Sequence, residues 1–192
     1  YPFFADKPYL RNKSLQIRNG GNDNYCRFKD PALQEIVRRS GIYIDGQAYQ
    51  PVLHYVNAEF KGLINMREPN NKDFARAEYG LDSDEIDMFE MSPDSGYVQK
   101  RGTKESWDQL IELSRYASNS SSYQQLCNLI DIDEYINYMA VLLYLGNTDW
   151  PQNNVKGFKS QLEGGKFHFV LFDTDHAFGT WDPFRSEEHT SE

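Results

Sequence analysis

Between positions 146 and 179 the chain gathers short acid and amide side chains at two points. The first is Asn147-Thr148-Asp149-Trp150-Pro151-Gln152-Asn153-Asn154, and the second is Asp173-Thr174-Asp175. Between them lie a short strand pattern, a glycine turn at Glu163-Gly164-Gly165 and the apolar run Phe167-His168-Phe169-Val170-Leu171-Phe172. Two strands around such a turn pair as a hairpin. Pairing brings Asp149, Asn153 and Asn154 to the end of the ribbon that also carries Asp173 and Asp175. All of these offer hard oxygen ligands, the kind that suit magnesium or manganese. An aspartate, an asparagine five residues on, a hairpin and a further aspartate is a layout that serves phosphoryl transfer. In that layout the first aspartate handles the acceptor hydroxyl, and the asparagine and last aspartate hold metal.

A rigid support is needed to position such groups. Asp131-Ile132-Asp133-Glu134 is a capping-box variant that opens the strongest helix pattern in the chain, with Ile132, Tyr135, Ile136, Met139, Ala140 and Leu143 at helical spacing and Gly146 as its stop. This helix delivers the Asp149 loop from a buried base. Upstream, residues 14–18 alternate as a strand, and residues 19–23 form a loop. Asp30-Pro31 then gives a helix start, with Asp30 as N-cap, Leu33, Ile36 and Val37 as its stripe and Gly41 as its stop. Residues 50–56 and 60–66 are expected to pair as a hairpin through Asn57-Ala58-Glu59. Residues 70–94 are acidic and are expected to be irregular, with Asp82, Asp84, Glu85, Asp87 and Glu90 on a solvated face; their spacing does not match an EF-hand loop. A helix over 103–116, a polar linker over 119–122 and a short helix over 123–129 follow.

Composition bounds the possibilities. A hydrophobic share of 39% with 15% aromatics is enough for a core in one domain or two small lobes. A net charge of −9 argues against a nucleic-acid or anionic-membrane surface, and it obliges any nucleotide cleft to gather cations locally. No apolar run reaches membrane-spanning length. Cys26 and Cys127 are the two cysteines; they allow a single disulfide, with two buried free thiols the favoured reading, and no paired Cys/His spacing for zinc exists. Residues 185–192 are expected to be a non-native tail.

Four segments resemble the CotH kinase family, the spore-coat protein H type of atypical protein kinase, in its Bacteroidetes-type form. They are L-Q-I-R-N-G-G-N-D at 15–23 with R-F-K-D at 27–30, Y-V-N-A-E-F-K-G-L-I-N-M-R-E at 55–68, residues 131–154, and F-D-T-D-H-A-F-G at 172–179. The resemblance implies an α+β, kinase-like two-lobed fold truncated at both ends. A partial N-lobe would span 1–68 and a partial C-lobe 69–184. It also implies ATP with Mg2+ or Mn2+, and phosphorylation of Ser or Thr hydroxyls in a surface or envelope protein, outside the cytoplasm. Asp149 would be the catalytic aspartate, Asn154, Asp173 and Asp175 metal-binding groups, and Glu68 a nucleotide contact. Ala58 departs from the glycine usual in the hairpin turn, and the phosphate-facing basic residue is expected before residue 1.

The same residues admit other readings. Asp149 could close a helix-exit Asx turn, and Asp173 a strand end; their agreement with Asn154 favours function. A D-x-D pair also serves metal-dependent glycosyltransferases, but these need a doubly wound sheet, which the helix-loop-hairpin order does not supply. Arg18, Asn19 and Asp23 read as organising a loop against the catalytic ribbon, and His54 and His176 as structural. The alternative to an active kinase is a catalytically inactive, pseudokinase-like binding protein of the envelope.

Overall fold

The computed structural model describes residues 2–5, 7, 13–20, 23 and 27–179; Cys26 and the 185–192 tail lie outside them. In chain order the elements are β1 (Gln16–Arg18), α1 (Lys29–Arg39), β2 (Asp45–Gly46), β3 (Tyr49–Val56), β4 (Glu59–Arg67) and α2 (Lys72–Tyr79). There follow β5 (Ile86–Ser92), β6 (Gly96–Arg101), α3 (Glu105–Arg115), α4 (Ser120–Leu129), α5 (Ile132–Leu145), β7 (Lys156–Ser160) and β8 (Phe167–Leu171). The class is α+β.

Two sheets organise these elements. The first has order β1-β4-β3 and is antiparallel throughout. Its hairpin turns at Asn57 and Ala58, both left-handed at φ 49° and 66°. A two-residue turn of matching twist requires positive φ at both positions. Asparagine tolerates that region, whereas Ala58 sits in it at a steric cost. The second sheet has order β2-β8-β7-β5-β6, with β2 parallel to β8 and the other pairs antiparallel. The first sheet is drawn from residues 16–67 and the second from 86–171, except that β2 crosses over from the earlier segment.

The acidic stretch departs from its expected irregularity. Asn71 accepts from the Asp73 amide and Gly80 closes α2 in the left-handed region, so this stretch has both helix caps. Ile86, Asp87, Met88 and Phe89 are all buried, because β5 is an interior strand covered on both faces. Asp82, Asp84 and Glu85 are exposed as expected, but Asp87 is not. Its Oδ1 accepts from the Thr103 amide at 2.8 Å and Gln161 Nε2 at 2.7 Å, and its Oδ2 from Ser106 Oγ at 2.6 Å. Three donors from in and beside α3 and β7 thus replace water around one carboxylate.

Three helix starts also differ from expectation. Asp30 is not the α1 N-cap: Phe28 holds that position, and the Lys29 amide is satisfied by Asp23 Oδ2 at 2.7 Å. The linker over 119–122 is the first turn of α4, capped by Asn119. Asp131 does cap α5, accepting from the Asp133 and Glu134 amides, but the Glu134 side chain goes to His168 instead of closing a capping box.

The second sheet is packed on two sides. One cluster joins Leu33 and Val37 of α1 with Leu110 of α3, Tyr138, Val141, Leu142 and Leu145 of α5, and Phe89, Phe167, Phe169 and Leu171 of the sheet. Phe89 is its hub, with ring contacts to Tyr97, Trp107, Phe167 and Phe169. A smaller cluster sets Phe74 and Ala75 of α2 against Ile86, Met88, Phe158 and Val170. The buried stripe of α5 is rotated from the one its apolar spacing predicts: Ile136 and Leu143 are exposed. Cys127 is a half-buried free thiol, and among the described residues no helix is long and apolar enough to cross a membrane.

Two measurements check this account. Ala58→Gly removes a left-handed alanine and should stabilise the fold by about 1 kcal/mol, raising Tm by roughly 2–4 °C. For Asp87, burial pushes the carboxyl up, but its hydrogen bonds to Ser106, Thr103 and Gln161 outweigh this and hold it below the ordinary aspartate range. A depressed folded-state pKa means stability present at neutral pH and lost as pH falls below about 4. Asp87→Asn should therefore be less stable at pH 7 and show a shallower loss of stability on acidification, read by urea unfolding across pH 3–7.

Candidate active site

Helix α5 ends at Gly146, left-handed at φ 58°, and the chain turns at once into the Asp149 loop. Asn147 Oδ1 accepts from the Asp149 amide at 3.3 Å, an Asx-type contact that fixes the turn. Trp150 anchors the far side, its Nε1 donating to the buried Tyr138 hydroxyl at 3.3 Å. The loop is thus braced within itself and tied to the helix that delivers it.

Asp149 Oδ2 accepts from Asn153 Nδ2 and from Asn154 Nδ2, each at 2.9 Å. Asn154 Nδ2 also reaches the Asp173 carbonyl at 3.4 Å, and Asn147 Nδ2 reaches the same carbonyl at 3.5 Å. The carboxamide of Asn154 is therefore the bridge between the two acidic loops. The pairing of β7 with β8, Gly157 opposite Phe169, sets this distance. Both Asn154 and Asp173 have φ 54°, a left-handed backbone that Asn and Asp tolerate better than other L-residues.

The second loop is held by charge. Arg18 of β1 places Nη2 2.5 Å from Asp173 Oδ1 and Nη1 3.7 Å from Asp30 Oδ2. Burial lowers the Arg18 pKa, but Asp173, Asp30 and Asp175 more than reverse this and keep it charged. Asp30 itself is buried and accepts from Arg67 Nη1 at 2.6 Å, Gln34 Nε2 at 2.8 Å, the Thr174 amide at 2.8 Å and Thr174 Oγ1 at 2.9 Å. Burial pushes its carboxyl up, yet Arg67, Thr174, Gln34 and Arg18 together hold it below the ordinary range. The loop then closes by Ala177 N to Thr174 O and returns to α5 through Phe178 N to Leu145 O at 2.8 Å.

Asp149, Asn154 and Asp173 thus come together at one end of the ribbon. Asp175 is buried and lines a cavity of about 10 Å³ with Arg18, Asp30, Asn65 and Arg67. Glu68 is placed elsewhere, just past β4, with Oε2 3.9 Å from Lys7 Nζ and its backbone bonded to Ala48 and Gln47. His176 is half-buried in the closing turn. A cavity of about 730 Å³ lies between α1, β2 and the end of α2 and is lined by none of Asp149, Asn154, Asp173, Asp175 or Glu68. Chemistry, not cavity size, identifies the site.

Two cations border the site, and neither is placed there by local sequence spacing. Arg18 organises the loop directly, and its grip on Asp173 links positions 155 residues apart. Lys156, two residues after Asn154, has Nζ 3.3 Å from Glu90 and 4.9 Å from the Phe172 ring centre. Burial lowers its pKa, opposed by Glu90 and by the charge of Asp173. A strand ending in arginine ahead of a helix that begins with an acid was the available signal for Arg18. Asp30→Ala would leave Arg67, 1% exposed, without its carboxylate partner, and should cost about 3–5 kcal/mol; urea unfolding midpoints of the two proteins measure it.

The assembled groups suit phosphoryl transfer: a carboxylate held by amides, hard oxygen ligands on a neighbouring loop, and a cation on the adjacent sheet. No curated protein matches the chain. The CotH kinase protein family model matches residues 4–192, which is nearly the whole sequence, and the chain belongs to that family.

Proposed function

We propose that the chain is an ATP- and divalent-metal-dependent protein kinase that phosphorylates Ser or Thr hydroxyls. The observation that carries this reading is the Asn154 carboxamide, bonded at once to the Asp149 carboxylate and to the Asp173 backbone. Family membership supports it and also suggests a substrate among surface or envelope proteins.

The donor set fits the cofactors. Asn154 and Asp173 would hold Mg2+ or Mn2+ through oxygen, with Asp175 as a further or outer ligand. The metal, when bound, neutralises charge on the nucleotide phosphates. Asn153 and Asn154 engage Asp149 Oδ2, which leaves Oδ1 to accept the proton of the substrate hydroxyl. Within this chain, Arg18 takes the role of a phosphate-facing cation. Kinases place that cation on a strand and pair it with an acid of the following helix, and here Arg18 on β1 approaches Asp30 on α1. Glu68 as a nucleotide contact rests on the family resemblance, since its carboxylate lies by Lys7.

Radiolabelled ATP with Mn2+ or Mg2+ tests the proposal. Transfer to the chain itself or to a generic protein should fall by at least about 10²-fold in Asp149→Ala and in Asp173→Ala. Arg18→Ala should lower it on the order of 10²-fold. Metal-dependent ATP binding without transfer would favour a non-catalytic, pseudokinase-like binding protein. No ATP binding would overturn the nucleotide reading.

A further inference from the structure

A second group of ligand-type side chains meets where three other elements converge. Asp45 of β2, Glu134 of the first turn of α5 and His168 of β8 each bring one carboxylate oxygen or ring nitrogen within 4.8 Å of the others. Among the described residues no other set of three His, Cys, Asp or Glu does so. The group shares no residue with the Asp149 site. About 16 Å of helix separates Glu134 from Leu145, where the Asp149 loop departs.

Its chemistry is unbalanced as it stands. Asp45 and Glu134 are both buried, and His168 Nδ1 lies 3.0 Å from Glu134 Oε2. Glu134 Oε1 is buried with no hydrogen-bond partner, an arrangement that costs free energy unless another group meets that oxygen. Two carboxylates face one imidazole. Lys7 acts on Asp45 through space, but its ammonium is engaged by Glu78 and Glu68. The surroundings are ordered: Tyr79 donates to Asp45 Oδ2 at 2.7 Å, the Tyr43 hydroxyl is 2.9 Å from that of Tyr79, and the His168 ring packs against Tyr79 and Phe158. Asp45, Tyr43 and Tyr79 also line the 730 Å³ cavity, which gives the group a route to solvent.

We propose that Asp45, Glu134 and His168 form a binding site for a zinc-class divalent ion, with Tyr79 as the outer partner that orients Asp45. One imidazole with two carboxylates is a nitrogen–oxygen set that suits zinc better than magnesium or calcium, which take oxygen alone. Three protein ligands leave a position for water, which the cavity supplies. The ion gives Glu134 Oε1 a partner and offsets the second carboxylate. It also pins β2, joined to β8 through only Asp45 and Gly46, to the base of α5. The competing arrangement is a metal-free ion pair in which a protonated His168 neutralises Glu134.

The test titrates Zn2+ into the EDTA-stripped chain without nucleotide, by calorimetry. It uses an Asp149→Ala/Asp173→Ala background, so that the kinase reading and this one fail separately. One equivalent should bind. Glu134→Gln and His168→Gln should each weaken binding by at least about tenfold, and Tyr79→Phe by roughly 10–100-fold as for other outer-shell partners. Co2+ in place of Zn2+ should give visible d–d absorption that His168→Gln loses. Absence of Zn2+ binding in the background chain, or binding indifferent to both Glu134→Gln and His168→Gln, overturns the proposal and leaves the ion pair. The background chain decides the first point even if a ligand variant does not fold.

Discussion

A carboxylate taken out of water must be met on every side, and Asp30 shows what that requirement can organise. Burying a carboxylate without partners is strongly unfavourable. Asp30 escapes it only when Arg67 of β4, Arg18 of β1, Gln34 of its own helix and Thr174 of the acidic loop all converge. Each partner belongs to a different element. The first sheet, α1 and the Asp173–Asp175 loop therefore cannot move independently without exposing a charge to an apolar interior. Arg67 is bound by the same logic: a guanidinium at 1% exposure needs its acid as much as the acid needs it. Precision at the candidate active site follows from this mutual dependence, since Thr174 stands between the two acidic residues whose placement matters.

Local signals in the sequence were strong where a residue's partner is close in the chain. The β7–β8 hairpin, the β3–β4 hairpin, the Asp131 cap and the Gly146 stop all depend on neighbours a few residues away, and all are present. The stretch over 70–94 reads as irregular because its eight acids are scattered among its apolar residues. What decides its structure is tertiary: β5 lies between β6 and β7, where Phe89 is at the hub of an aromatic cluster and Asp87 finds hydrogen bonds from distant segments. Composition cannot reveal that an acid will be satisfied by Thr103 and Gln161. The same reason explains the rotated face of α5. Apolar spacing offered Ile136 and Leu143, but the sheet selects Tyr138, Val141, Leu142 and Leu145.

The candidate site divides along the same line. Asp149, Asn154 and Asp173 are legible because one hairpin brings them together. Arg18 is not legible as their partner, for its contact spans the whole fold. Asp30 illustrates a subtler failure: an acid before proline looks like a cap, and its rank as the second residue of α1 follows from Asp23 having satisfied the Lys29 amide first. Asp45, Glu134 and His168 carry no motif at all. A parallel two-residue pairing of β2 with β8 creates their meeting, and Glu134 is diverted to it from the capping role its position suggests.

Charge at the proposed site bears on how it would work. Arg18 and Arg67 stand among Asp30, Asp173 and Asp175, so the carboxylates exceed the guanidinium groups by one. Asp30 is committed to structure by its four other donors, but the Arg18–Asp173 contact is different: both side chains are partly open to solvent, at 22% and 29%. It is the one ion pair of the network able to exchange partners. A nucleotide arriving with its cation would offer Asp173 a metal and Arg18 a phosphate, trading one pair for two of the same sign pattern. The loops would not need to reorganise, because Asn154 and Thr174 hold them by backbone contacts that the exchange leaves alone. A site that changes only the partners of its charges, while its frame stays fixed, meets the requirement that phosphoryl transfer places on positioning.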